Sequence, residues 1–536
     1  MKLPPDKSSE GRYGTITRRE FIALSTAAAA GYWCAGPART GLVSTKAMST
    51  GQGATPEAPL RERLAQDPQR PQYHLLPPAN WMNDPNGPIV WKEQYHMFYQ
   101  YNPNGAFWGD MHWGHAISPD AVHWRHQPVA LAPTPGGPDK DGCFSGCAVV
   151  NRGVPTLVYT GVSTEVQCLA TGDDSMLTWK KYPGNPVVAA PPKNLDVTGF
   201  RDPCVWKERD GWHMAIGSGV KGAGGLVLLY HSKDMTRWEY LHPLCAGSKM
   251  QISDGNDPVA SGDMWECPDF FALGSKHVLL VSTRGSVFYS VGVYTRHSFH
   301  PQKQGNVDFG GEYYAARSMV DGKGRRLLWG WIREGRSEAA HRAAGWAGVM
   351  SLPRVLSLAE DNSLRFEPAP ELEVLRAKHY HLENVMVTSQ SCSLLPEASG
   401  DALEIAAEFE SQSADEFGLK MRCAPDESEF TLISYDRAAG QLRVDRRRSS
   451  LSADTSRGVQ AGPFELAPQD PLKLRIFLDG SVVEVFANGR ACLTSRIYPT
   501  RMESLGVGIF ARGGKAKVRS LDTWVMQPIS KDRLTS

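Results

Sequence analysis

The 536-residue sequence has almost no net charge: 58 Lys plus Arg stand against 57 Asp plus Glu, a formal +1. Without a field of one sign, nothing in it calls for nucleic acid or an anionic membrane surface. Its ten cysteines include no Cys-x-x-Cys pair and form no Cys/His ligand cluster. Neither a structural zinc site nor a disulfide framework is implied, and even Cys143 and Cys147, four apart in a strand-like stretch, read as buried free thiols. The apolar run at residues 23–30 falls far short of the ~20 residues needed to span a bilayer. Helical periodicity is scarce, and only residues 371–378 read as a short connecting helix.

The sequence is rich instead in Gly (52), Pro (37) and Trp (15), which suit short strands and many tight turns. Its length suggests two domains plus an export segment. Thr17-Arg18-Arg19-Glu20-Phe21-Ile22 directly precedes the uncharged apolar run. Residues 1–35 therefore read as a twin-arginine signal, with export to the periplasm or beyond the cell and no integral membrane segment once the signal is removed. Gly31-Tyr32-Trp33 before Cys34 is a poor match to a lipid-anchor site. Residues 36–70, polar and rich in small residues, read as a flexible linker.

An internal repeat organises the chain beyond residue 70. Asp84-Pro85, Asp202-Pro203 and Glu266-Cys267-Pro268 each lead into a short apolar strand, a polar turn and a second apolar strand. Each is a β-hairpin signal with an acid at its entrance. A second element recurs beside it: Ser118-Pro119-Asp120 before Trp124, Asp174-Ser175 before Trp179, and Ser232-Lys233-Asp234 before Trp238. Units of about 55–65 residues suggest propeller blades, and residues 71–370 would supply five. In such a fold the acids converge on the central channel. After a linker at 371–384, alternating strands at 402–409, 417–421, 430–435, 441–445, 472–477, 482–486, 491–497 and 505–510 predict a β-sandwich over 385–530. The expected fold is all-β, a five-bladed propeller followed by a sandwich.

These residues carry a resemblance. Trp81-Met82-Asn83-Asp84-Pro85-Asn86-Gly87, Phe144-Ser145-Gly146, Arg201-Asp202-Pro203 and Glu266-Cys267-Pro268-Asp269, in this order, resemble the motifs of glycoside hydrolase family 32, the invertases and fructanases. The likeness continues through Tyr313-Tyr314-Ala315, Trp329-Gly330-Trp331 and Gly345-Trp346 to Asp479-Gly480-Ser481 and Val482-Val483-Glu484-Val485-Phe486, covering roughly residues 73–526. It implies a five-bladed propeller with a sandwich, and a retaining mechanism that uses neither metal nor cofactor.

Such a mechanism needs two carboxyl groups about 5–5.5 Å apart on either side of the scissile bond. By resemblance, Asp84 is the nucleophile at C2 of a fructosyl unit and Glu266 the general acid/base. Asp202 holds fructose hydroxyls as ring charge develops, and Arg201 is the nearest cation for the carboxylate array. Asn83, Gln100, Trp108, Phe144 and Ser145 match positions that line the sugar pocket. Trp81, Trp108 and Trp331 offer apolar faces to sugar C–H surfaces. Cys267 is expected to sit against Glu266 and tune its acidity. His112, His115 and His123 read as structural.

Pro268 after Glu266-Cys267 resembles the cell-wall invertase and fructan exohydrolase side of the plant-type branch. Asp234 with Arg237 resembles an acid and base three apart in sucrose-preferring relatives, although Arg replaces the usual Lys. The expected substrate is sucrose, with levan or inulin as the alternative. A fructosyltransferase would differ in its products at high sucrose, and Trp81 favours hydrolysis over transfer. A catalytically silent glycan-binding relative would have lost one of the three acids, and all three are present.

Overall fold

The computed structural model describes residues 56–247, 264–389, 393–395, 397–467 and 469–536. The arginine pair, the apolar run and Cys34 lie outside the described residues. No helix among the described residues is long and apolar enough to cross a membrane.

Strands dominate, as the turn-rich composition predicts. Five sheets, antiparallel but for one short parallel pairing in the first, succeed one another along the chain, each opening on a long strand: Asn80–Trp91, Cys143–Asn151, Val197–Lys207, Glu266–Leu273 and Tyr313–Val320. The second to fourth sheets are simple four-strand meanders in chain order; the first and fifth are completed by strands from residues 346–368. Second strands such as Gln94–Asn102 and Trp212–Val220 are buried over nearly their whole length. That continuous burial fits sheets covered on both faces. The turns Lys92-Glu93, Arg152-Gly153 and Arg296-His297 take positive φ at both positions. This is the backbone twist that two-residue hairpins demand.

The opening strands pack against one another in succession, and that of the fifth sheet packs against that of the first. Each carries a bulge. Pairing with the second strand skips residues 83–84, 145, 202–203, 267–268 and 315–316. Asp202, Cys267 and Ala315 take left-handed backbone there, with φ of 65°, 49° and 53°. A bulge bends its strand and re-aims the unpaired side chains. The three acids are therefore not in one register, as the acid–Pro repeat suggested. Asp84 is the second residue of its bulge, Asp202 the first, and Glu266 the residue just before.

Two six-stranded sheets complete the chain, and their inner faces share one apolar core that includes Leu403, Ile405, Phe417, Leu419, Ile476 and Ile509. All eight strands expected after residue 400 are present within a residue or two. The segment expected as a linker at 371–384 is instead a 3-10 turn, Pro370–Leu375, and the first part of an edge strand, Arg376–Thr388, paired with Lys515–Met526. No α-helix forms at 371–378. The linker expected up to residue 70 likewise ends in structure. Helix Ala58–Gln66 buries Leu64 against Trp346, Val349 and Val482, and Arg70 is fully buried.

An apolar cluster joins the fourth and fifth sheets to the sandwich through Tyr73, Phe366, Phe477 and Phe486. Polar groups seal the same junction. His74 bridges Asp479 (2.8 Å) and Glu484 (3.2 Å), and Arg354 binds Asp308 (2.9 Å) and Glu484 (2.8 Å), all fully buried.

Candidate active site

The bulges bring residues from different sheets to one place. Asp84, nearly inaccessible to solvent, accepts hydrogen bonds on Oδ1 from Asn83 Nδ2 (2.9 Å) and on Oδ2 from Ser145 Oγ (2.5 Å). Asn83 Oδ1 in turn accepts from Trp81 Nε1 (2.7 Å). Trp81, Asn83 and Ser145 thus form a relay that fixes the Asp84 carboxylate. Its second oxygen lies 3.6 Å from Cys267 Sγ, and the same sulfur lies 3.4 Å from Asp202 Oδ2. Asp202 Oδ2 also accepts the Cys267 backbone N–H at 3.0 Å.

The expectation for Cys267 is therefore corrected: its thiol faces Asp84 and Asp202, not Glu266. Cys267 takes left-handed backbone in its bulge, and its sulfur reaches the acids of two other sheets. Burial, then the two carboxylates, push this thiol well above its ordinary value. It stays protonated and can donate between the two acids.

Glu266 is held from two other sides. Its Oε1 accepts from Arg201 Nη2 (2.8 Å) and Nε (3.3 Å), and its Oε2 accepts from Tyr314 OH (2.7 Å). Burial and the Glu266 carboxyl push the Tyr314 phenol well up, so it serves as a donor. Arg201 Nη1 is shared with Glu165 Oε1 (2.9 Å), while Glu165 Oε2 accepts the Phe200 N–H (2.7 Å). Beneath the acids, buried Arg317 donates to the carbonyls of Asp202 (3.0 Å) and Pro268, tying the bulges of the third and fourth sheets together.

Aromatic groups gather near the Asp84 strand. Trp81 meets Trp331 edge-on with ring centroids 5.8 Å apart, and Trp108 meets Phe144 at 5.8 Å. These four belong to one apolar cluster with Ala106, Met111 and Ala347. Gln100 is fully buried and donates to the Cys143 carbonyl (2.9 Å), which steadies the opening strand of the second sheet two residues before Ser145.

Sequence reasoning gave no role to Tyr314, Glu165 or Arg317. Tyr314 lies inside one of the family-like motifs, and its hydroxyl could have been suspected. Glu165 sits in a hairpin turn and carries no local signal. Asp234 and Arg237 prove remote from the acids. Asp234 Oδ1 caps its own turn at Thr236 and Arg237, and that turn faces the carbonyl of Asp210 in the neighbouring connection. The three histidines are separate as well. His115 stacks on His96 and Phe98, His123 pairs with Asp120, and His112 bonds the Asp110 carbonyl.

Three acids from three sheets, one bound to an arginine and two joined by a thiol, agree with the family suggested by the motifs. Residues 74–368 match the glycosyl hydrolases family 32 N-terminal domain, and residues 371–525 match the C-terminal domain of that family. The chain belongs to glycosyl hydrolases family 32. Among family 32 relatives, a sucrose-6-phosphate hydrolase of Zymomonas mobilis is 36% identical, covering 87% of this chain and 94% of its own. A levanase of Bacillus subtilis is 37% identical, covering 86% of this chain and 70% of its own. The solved structure of fructan 1-exohydrolase IIa from Cichorium intybus superposes with a TM-score of 0.79 at 29% identity, over 86% of this chain and 98% of the other. Family 32 membership makes the protein a glycoside hydrolase, set among hydrolases of terminal β-fructofuranosides.

Proposed function

We propose that the five sheets are the blades of a propeller spanning residues 71–370, and that Asp84, Asp202 and Glu266 meet at its axis to hydrolyse terminal β-D-fructofuranosides with retention. The observation that carries this reading is the single sulfur of Cys267, within 3.6 Å of both Asp84 and Asp202, on the residue next to Glu266.

In the first step an Asp84 oxygen bonds to C2 of the fructosyl unit as the bond from C2 to the leaving oxygen breaks. That oxygen takes its proton from Glu266. In the second step water attacks C2 as the bond from C2 to Asp84 breaks, its proton passes to Glu266, and fructose leaves with the Asp84 carboxylate restored. Glu266 must therefore begin protonated. Arg201 binds both Glu266 (2.8 Å) and Glu165 (2.9 Å), so one guanidinium faces two carboxyl groups. Asp202, aimed inward by its bulge, accepts fructose hydroxyls as positive charge grows on the ring. Gln100, Phe144 and the three tryptophans shape the pocket around it.

Sucrose is the substrate this reading favours. Fructan exohydrolysis is the second reading, supported by the likeness to a plant fructan 1-exohydrolase and by Pro268 after Cys267. The Arg18-Arg19 pair before the apolar run supports export of the chain.

Fructose release from sucrose, inulin and levan by protein lacking residues 1–35 tests the assignment. Glu266→Gln is expected to lower kcat by about 10²–10⁴-fold on substrates with poor leaving groups, and Asp84→Ala to abolish turnover. Full activity in either variant would remove that residue from its role. The ratio of the three wild-type rates ranks the substrates.

A further inference from the structure

A second cluster lies outside the acids and plays no part in the reaction. Glu208 and Asp210 occupy the connection between Val197–Lys207 and Trp212–Val220 in the third sheet, with His213 at the start of the next strand and His231 paired across from it. His297 comes from the fourth sheet, on the Arg296-His297 turn that takes left-handed backbone at both residues. The position is about 13 Å along the strand from Asp202, counted from Trp206, the strand partner of His213.

His213 is completely buried, yet neither of its ring nitrogens has a hydrogen-bond partner among the described residues. Such an omission costs free energy unless something else satisfies the ring. The groups around it are metal ligands. One donor atom from each of Glu208, Asp210, His213 and His297 fits within a span of 4.8 Å. Asp210 Oδ2 lies 3.2 Å from His297 Nε2, 3.9 Å from His213 Nε2 and 3.7 Å from His231 Nε2, and Glu208 Oε2 lies 4.0 Å from the same His297 nitrogen. Donors around tetrahedral zinc, with bonds of about 2.0–2.1 Å, stand about 3.3 Å apart, so a small contraction completes the shell. The Glu208 carboxylate is already oriented by Trp206 Nε1 (2.7 Å) and Tyr294 OH (2.9 Å), the kind of support that metal-bound carboxylates receive.

We propose that Asp210, His213 and His297, with Glu208 or His231 completing the shell, bind one divalent first-row transition ion such as Zn²⁺, clipping the third sheet to the fourth. Two or three imidazoles with carboxylate suit zinc or its neighbours, whereas calcium and magnesium take all-oxygen shells.

The full chain, stripped with chelator, is titrated with Zn²⁺ by calorimetry, and bound metal is counted by mass spectrometry after dialysis. His297→Ala and Asp210→Asn are run beside it, each checked for unchanged circular dichroism. The expected result is one Zn²⁺ per chain, a higher unfolding temperature with Zn²⁺, and affinity more than roughly tenfold weaker in both variants. Substitution by Co²⁺ should give the intense visible bands of a tetrahedral site. Failure of the wild-type chain to hold stoichiometric Zn²⁺, or equal binding by both variants, overturns the proposal.

Discussion

Glu165 and Glu266 both accept from the Arg201 guanidinium, and Glu165 thereby helps to hold the cation that meets the acid. Removing the Glu165 charge would weaken the acceptor of Arg201 Nη1 and of the Phe200 N–H. Glu165→Gln is therefore expected to lower kcat for sucrose by roughly tenfold, because a misplaced catalytic group costs rate. KM should change little, and an unchanged kcat would mean that Glu165 does not position Arg201. At this scale motif order singled out Asp84, Asp202 and Glu266, whose side chains or neighbours the bulges bring together around Cys267. It could not name the partners of Cys267, because a one-residue bulge with left-handed backbone decides which way that sulfur points. Nor could it find Glu165 or Arg317, whose roles exist only through contacts between sheets.

The opening strands make the site by breaking their own ladders. Five bulges at corresponding places turn unpaired side chains inward, and close backbone approaches leave no slack around them. Gly348 shows how tight this is. Its φ is +81°, and a Cβ there would lie 1.8 Å from the Met82 carbonyl, two residues before Asp84. Gly348→Ala is expected to cost roughly 2–4 kcal/mol of stability and to lower kcat more than it raises KM, measured by urea unfolding and steady-state rates. The strand Gln441–Asp445 was legible because its burial alternates with the pleat, and strands such as Val482–Ala487 because they are continuous apolar runs between turn residues. Arg376–Thr388 was not, since its first half exposes mostly polar side chains to solvent and it is a strand because Lys515–Met526 offers it a ladder. The helix at Ala58–Gln66 was missed for a related reason: it buries little beyond Leu64 and depends on Trp346 for a surface to lie on.

Across the whole molecule, the junction between the sheets of residues 80–368 and the sandwich combines apolar packing with a buried ionic network. Burial works against a charged His74, but hydrogen bonds and charge from Asp479 and Glu484 outweigh it and raise its pKa above 6.5. Burial likewise opposes the Glu484 anion, yet Arg354 and His74 hold its pKa below 4.5. The His74 contribution is complete below 6.5 and fades as pH climbs through the raised folded value. The Glu484 contribution is complete above 4.5 and fades as pH drops through the lowered one. Both act fully between those two pH values. Thermal unfolding should show its best stability there, and His74→Gln should flatten the alkaline decline. Arg354→Ala removes the guanidinium that pairs with both Asp308 and Glu484, leaving Glu484 to His74, and is expected to cost about 3–5 kcal/mol, measurable as an earlier denaturant midpoint. The division of the chain into two all-β parts was legible from a change in texture near residue 370. The polar seal between them was not, because His74 and Glu484 come from opposite ends of the sequence.

The short parallel pairing of Trp346–Ala347 with Asn80–Trp81 has a consequence in time. The strand that carries Asp84 leaves the ribosome early, but Asn80 and Trp81 on its free edge are paired only by residues made roughly 260 positions later, on the order of 10–50 s at ~5–20 residues per second. For that interval the nascent chain exposes an unpaired strand edge, open to pairing with a neighbour on the same messenger. A chain released before residue 347 would keep that edge permanently, so truncated products should aggregate while the finished protein does not.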